Sequence, residues 1–251
     1  MKKQTIAIRT QGLTKEFIRA KKVLDNIDLS VYKGELFCLV GSNGAGKTTL
    51  IKMLCGLIVP TSGEIFINGY NILKNEDMVR SSIGLVTGDE RSFYWRLTGR
   101  QNMEFFAALY NLSPGIRDKK IMDLLNILHI PEPDKIFQQY SSGIKQKLSI
   151  ARALLNDPDI LFIDELTKNL DPTSTRELRM FIRETLVKKH SKTVFFSTHQ
   201  LYEVERLADR MAFMSRGRIM AEGTLDELKK IVGRENVSIE EMYDYFINGK
   251  G

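Results

Sequence analysis

Leu36-Phe37-Cys38-Leu39-Val40 runs directly into Gly41-Ser42-Asn43-Gly44-Ala45-Gly46-Lys47-Thr48. An uninterrupted apolar run of this length reads as a strand buried on both faces. The residues after it fit G-x-x-x-x-G-K-[ST], and a helical pattern from Lys47 to Leu57 completes the strand, loop and helix of a phosphate-binding P-loop. The chemistry asks for these residue types. Glycines let the backbone wrap an anion closely, successive N–H groups form a nest, and the helix N-terminus adds partial positive charge. Lys47 is expected to reach the β- and γ-phosphates and Thr48 to place its hydroxyl on Mg²⁺. The plain alternative is a glycine turn that happens to carry Lys-Thr, and it leaves the flanking strand and helix unexplained.

Outward from this loop, Ile160-Leu161-Phe162-Ile163 is a second buried-type strand and ends in Asp164-Glu165. Two acids at the carboxyl end of a parallel strand stand where open α/β sheets bind ligands. Asp164 is suited to the Mg²⁺ shell and Glu165 to polarising an attacking water; the bland reading is an acidic turn. Further strands are expected at Gly63 to Asn68, Ile83 to Val86 and Thr193 to Phe196, with a hairpin around Arg216-Gly217. Helical spacing marks Asn102 to Tyr110, Asp118 to Leu128, the face Ile144, Leu148, Ala151 and Leu155, the stretch Thr173 to Lys189, and a final helix after Gly233. Pro131 and Pro133 interrupt the pattern. The fold class is therefore α/β: a P-loop NTPase core and small antiparallel β subdomain over 1–87 and 157–230, a helical insert at 88–156, and a tail at 231–251.

Composition narrows the function. The chain has 251 residues, 43% apolar and 27% charged, which suits an ordinary globular protein with a sizeable core. Cys38 and Cys55 are its two cysteines and cannot make a disulfide framework. They read as buried free thiols in a reducing cytosol. No stretch approaches the roughly 18–20 apolar residues of a membrane span. Met1 to Thr5 lead into no long apolar run, so no signal peptide is expected. The net charge of +6, with no run of Lys/Arg longer than two, reads as a solvated mixed surface, and no nucleic-acid partner is expected.

The phosphate loop, Asp164-Glu165, Asp171-Pro172 and Ser197-Thr198-His199 occur in the order and spacing of ATP-binding-cassette (ABC) transporter ATPases. The resemblance covers nearly the whole chain, from about residue 10 to 230. It implies a RecA-like core, ATP and Mg²⁺ as cofactors, and a dimer, with itself or with a second ABC ATPase chain. It also implies a separate integral membrane permease as partner and a peripheral place on the cytoplasmic face of the cell membrane. Carried over residue by residue, Phe17 stacks on adenine, with core packing as its alternative. Gly41, Ser42, Asn43, Gly44, Ala45, Gly46, Lys47, Thr48 and Thr49 surround the nucleotide, and Thr48 and Asp164 hold the metal. Glu165, His199 and Lys47 carry the catalysis. Tyr140-Ser141-Ser142-Gly143-Ile144 resembles the family signature Leu-Ser-Gly-Gly-Gln at Ser141 and Gly143 and departs from it at Tyr140, Ser142 and Ile144. In the family that signature meets the γ-phosphate held by the opposite subunit; an ordinary helix N-cap is the alternative. Asn169-Leu170-Asp171-Pro172 resembles the loop that couples the two sites, and Asp171 is counted with the nucleotide contacts.

One departure is chemical. The family's Gln after the strand at Ile83 to Val86 is replaced by Gly88, in Thr87-Gly88-Asp89-Glu90. Asp89 or Glu90 is a candidate substitute, because Mg²⁺ prefers oxygen ligands. Beyond it, Arg91-Ser92-Phe93-Tyr94-Trp95-Arg96 combines arginines and aromatics of the kind found at interface hot spots. Phe93, Tyr94 and Trp95 are read as the permease dock, against the alternative that they form the core of the helical insert. These variations resemble cassettes serving export of polysaccharides, lipids or drugs. Two other functions compete. A soluble ABC protein acting on nucleic acid or the ribosome would usually carry two cassettes or long coiled-coil insertions, which this chain lacks. A small-molecule kinase would share the phosphate loop but need neither Ser141-Gly143 nor His199.

Overall fold

The computed structural model describes residues 5–17, 21–88, 92–165, 170–234 and 236–249. Among these described residues the central sheet has six strands in the order β10-β9-β3-β8-β7-β6. These are β3 (Leu36–Val40), β6 (Ile83–Thr87), β7 (Ile160–Asp164), β8 (Thr193–Thr198), β9 (Arg210–Ser215) and β10 (Arg218–Gly223). All neighbours are parallel except β9 and β10, which form the expected hairpin. Arg216 and Gly217 both take positive φ in its turn, which suits the twist of a tight hairpin.

Alternation along each strand explains why the apolar runs are continuous. Leu36, Cys38, Val40, Leu161, Ile163, Val194 and Phe196 join one core, whereas Phe37, Leu39, Ile160, Phe162 and Phe195 join another on the opposite face. Phe37 stacks on Phe195 with ring centres 5.5 Å apart. Both cysteines are free and buried, and burial pushes both thiols up in pKa.

The second core is closed by α1 (Lys47–Leu54) and by an antiparallel sheet ordered β2-β1-β4-β5. Here β1 is Ile6–Phe17, β2 is Lys21–Tyr32, β4 is Ser62–Ile67 and β5 is Tyr70–Asn71. The long pair β1 and β2 goes beyond the strands expected from sequence. Helix α1 stops earlier than Leu57, because Gly56 adopts φ 72° just after its end.

The first core is covered by helices. After α2 (Glu76–Ser82) and β6, the chain forms α3 (Gly99–Leu109), α4 (Pro114–Ile127) and α5 (Ser142–Ala153) before returning to β7. Phe93 belongs to this packing: it is buried and stacks on Phe137 with centres 4.6 Å apart. It is therefore core of the helical insert and no part of an exposed dock, whereas Tyr94 and Trp95 are 50% and 44% exposed. Helix α6 (Pro172–Met180) continues into wider π-type turns at Phe181–Lys189. Helices α7 (Leu201–Leu207), α8 (Leu225–Val232) and α9 (Ile239–Asn248) complete the chain, with Phe246 of α9 stacked on Phe213.

Candidate nucleotide site

Register brings the functional residues to one sheet edge. Thr87 lies opposite Asp164, Asp164 opposite Ser197, and Val40 opposite Thr198. Gly88, Glu165, His199 and Gly41 therefore all leave the sheet at the carboxyl ends of neighbouring parallel strands.

The loop from Gly41 to Gly46 is closely walled. A Cβ on Gly41 would stand 2.5 Å from the carbonyl oxygen of Met214, and Gly46 takes φ 111° against Leu24 and Val23. Gly44 faces open space, and Ser42 and Asn43 are exposed. Gly46 caps α1 without a side chain, which leaves the first N–H groups of the helix to an anion. The turn at Arg216-Gly217 braces the loop from behind: the Gly217 N–H donates to Ala45 O at 2.9 Å, and the Asp25 N–H donates to Gly217 O at 2.9 Å.

Lys47 is buried, and its Nζ donates to Gly41 O at 2.7 Å and Ser42 O at 3.0 Å. Burial pushes its ammonium down in pKa, and the carboxylates of Glu165 and Asp164 oppose that shift. Thr48 Oγ1 donates to Asp164 Oδ2 at 2.8 Å, and Ser197 Oγ donates to Asp164 Oδ1 at 2.6 Å. The Glu165 N–H donates to Ser197 O at 3.2 Å, and His199 Nδ1 lies 3.3 Å from Glu165 Oε1. Glu165 holds φ 53°, a left-handed backbone that costs a non-glycine residue about 1–3 kcal/mol and gathers at functional sites. A Cβ on exposed Gly88 would lie 3.8 Å from the backbone carbonyl oxygen of Glu165, so the position of the absent Gln borders the main chain of that residue. Asp89, Glu90 and Asn169 lie outside the described residues.

Among the described residues no cluster of three or more His, Cys, Asp or Glu side chains stands ready to hold a metal. A hydroxyl and a carboxylate in contact fit Mg²⁺ nonetheless, because that ion completes its shell with water and substrate phosphate. The arrangement offers a nest for polyphosphate, a cation beside it, a hard-metal oxygen pair, and a carboxylate–imidazole pair able to take a proton from water.

Other expected residues lie apart from this cluster. Ser141 is the N-cap of α5 and accepts from the Ile144 N–H. Gly143 lacks room for a side chain, since a Cβ would come 2.6 Å from Ser174 Oγ in the first turn of α6. Asp171 caps α6, accepting from the Thr173 and Ser174 N–H groups and from Ser174 Oγ. Tyr140, the departure before Ser141, is spent within the insert: its hydroxyl donates to Glu132 O at 2.7 Å. Phe17 ends β1, 45% exposed beneath the ammonium of Lys15 at 5.1 Å. Its strand partner β2 continues to Val23 and Leu24, which touch Gly46. Two contacts of this neighbourhood are not foreseen from sequence, that of Ser197 with Asp164 and that of Glu203 with Thr198. The Ser197-Thr198-His199 run draws attention to His199, and nothing in Leu201–Leu207 marks Glu203 as the buried one of its two acids.

Residues 24–168 match the family model described as ABC transporter. The chain is 38% identical over 223 residues to the bacitracin transport ATP-binding protein BcrA of Bacillus licheniformis, covering 89% of this chain and 71% of that protein. It is 36% identical over 234 residues to the daunorubicin resistance ATP-binding protein DrrA3 of Streptomyces coeruleorubidus, covering 93% and 73%. Its fold superposes with a TM-score of 0.77 on the dimeric post-hydrolysis state of the ATP-binding cassette MJ0796 bound to ADP and Pi. That match is 26% identical and covers 87% of this chain and 98% of the other.

Proposed function

This chain belongs to the ABC transporter family as an ATP-binding, ATP-hydrolysing subunit, and from that premise we propose that it drives export through a separate membrane permease. Among the described residues no helix is long and apolar enough to cross a membrane. In this reading the permease is a separate integral membrane chain, and this subunit sits peripherally on the membrane's cytoplasmic face. Transport of bacitracin and resistance to daunorubicin, named for its relatives, support the outward direction.

The residues take these roles. Lys47 exchanges the carbonyls of Gly41 and Ser42 for the β- and γ-phosphates, while the N–H groups from Asn43 through Thr49 wrap them. Phe17 offers its ring face to adenine. Thr48 and Asp164 hold Mg²⁺, which neutralises phosphate charge when bound. Glu165 polarises the attacking water, and His199 orients Glu165 and the γ-phosphate. Ser141 and Gly143, at the start of α5, meet the nucleotide of a second copy, and Asp171 holds the adjoining start of α6. Two composite sites then form only in a dimer, a reading supported by the dimeric relative bound to ADP and Pi. Tyr94 and Trp95, half-exposed on the insert, are the docking aromatics.

The contact of Glu165 with His199, at the sheet edge where the strand before the phosphate loop also ends, carries this reading. Its test is the solution mass of Glu165→Gln with and without Mg-ATP. Mass should double with nucleotide, and Lys47→Ala should abolish the doubling. A persistent monomer that demonstrably binds ATP would refute self-pairing.

A further inference from the structure

We propose that Glu203, held by Arg179, is a positioning residue that sets His199 for ATP hydrolysis; the inference rests on the role given to His199 above. Glu203 lies on α7 and is only 2% exposed. A buried carboxylate is tolerated when charge and hydrogen bonds surround it. Oε1 accepts from Arg179 Nη2 at 2.8 Å, and Oε2 accepts from Thr198 Oγ1 at 2.8 Å. Thr198 Oγ1 accepts in turn from the Gln200 N–H at 3.0 Å, and the Glu203 N–H donates to Gln200 O at 3.1 Å. Both chain neighbours of His199 are thereby tied to one acid. His199 itself is 39% exposed, so the backbone on either side of it sets the direction of the imidazole.

The other end of the pair reaches a different part of the molecule. Arg179 sits on α6, the helix capped by Asp171 and abutting Gly143 at its first turn. Its guanidinium lies over the Tyr202 ring at 4.8 Å, which fixes its plane. Its Nε is buried and has no hydrogen-bond partner among the described residues. A buried ion pair is a poor way to gain stability, since apolar replacements often do as well. One that also leaves a donor unmet is better explained by geometry: it locks α6 to the turn that carries His199. A shift of α6 against β8 is then delivered to His199 through the bond between Arg179 and Glu203.

The test uses the full chain and four variants: Glu203→Gln, Thr198→Val, His199→Ala, and Glu203→Gln combined with His199→Ala. Misplacing a catalytic group by about 1 Å costs about 100-fold, so Glu203→Gln and Thr198→Val should each lower kcat by roughly 10- to 100-fold. KM for Mg-ATP should stay within about twofold, as expected when ground-state binding is untouched. In the His199→Ala background, Glu203→Gln should cost nothing further, because both changes remove one function. Thr198→Val keeps the buried shape and the Arg179–Glu203 pair, and carries the test alone if Glu203→Gln fails to fold. Wild-type kcat in both Glu203→Gln and Thr198→Val, beside a crippled His199→Ala, would overturn the positioning role. So would a loss that multiplies in full in the combined variant. A His199→Ala protein at full rate would remove the reading of His199 and this inference with it, an outcome distinct from the first two.

Discussion

His199 Nδ1 stands 3.3 Å from Glu165 Oε1, although the two residues leave different strands and are brought together by the pairing of Asp164 with Ser197. Under the proposed mechanism the contact would join a proton acceptor to the group that orients it. Glu165→Gln preserves the shape and removes the basicity. Hydrolysis should fall by about 10²- to 10⁴-fold, the usual worth of a placed general base, while Mg-ATP affinity is retained. Single-turnover kinetics beside equilibrium nucleotide binding will separate the two quantities. A parallel loss of binding would mean that Glu165 holds substrate and does not act on water.

Gly217 should tolerate no side chain. Its φ is 78°, and a Cβ would stand 2.4 Å from Val23 O. The left-handed backbone alone costs an alanine about 1–2 kcal/mol, with the clash in addition. Because Gly217 N–H donates to Ala45 O, the damage should reach the phosphate loop. Thermal melting and ATP titration of Gly217→Ala should show lower Tm together with weaker binding; a lower Tm at unchanged affinity would show that the brace does not shape the loop.

Gly88→Gln is the opposite case. The residue is exposed, its Cβ would make only ordinary contact at 3.8 Å, and its φ lies outside the left-handed region. Stability should change by no more than about 0.5 kcal/mol, as for other open surface sites. Alanine at both Asp89 and Glu90 should lower activity and raise the Mg²⁺ needed for it, and Gly88→Gln in that background should restore part of the rate. Full activity of the double alanine variant would show that neither acid substitutes for the absent Gln.

Asp171 links stability to pH. The Ser174 hydroxyl and the adjoining backbone N–H groups hold its carboxyl below the ordinary value. A depressed carboxylate contributes fully above its unfolded pKa and loses that contribution as pH falls through the folded one. Tm of the wild type should therefore drop between about pH 5 and pH 2 more steeply than that of Asp171→Asn, which caps comparably without titrating. Superimposable pH profiles would exclude this linkage.

The legible part of the molecule is the part where one force acts alone. Leu36–Val40 and Ile160–Ile163 are buried on both faces, so hydrophobicity without alternation declares them, and the glycines and acids at their ends follow. Strands β1 and β2 resist reading because bulges interrupt their period. Gly12 and Asn26 take positive φ, and register shifts recur along the pair, which scrambles inward and outward residues. Phe93 reads as an exposed aromatic beside Tyr94 and Trp95 until the stacking partner Phe137 arrives from distant sequence. Glu203 reads as a solvated helix acid for the same reason: Arg179, which buries with it, stands on another helix.

The ammonium of Lys47 is already shared between two carbonyls of its own loop. An arriving anion meets no bare cation and gains only the difference between a phosphate oxygen and a peptide oxygen as acceptor. A halide or a lone carboxylate offers little in that exchange, whereas a chain of phosphates can replace both carbonyls and occupy the N–H nest in the same event. The loop thus serves as its own understudy ligand. A guest long enough to take over several of its bonds at once gains most from the exchange.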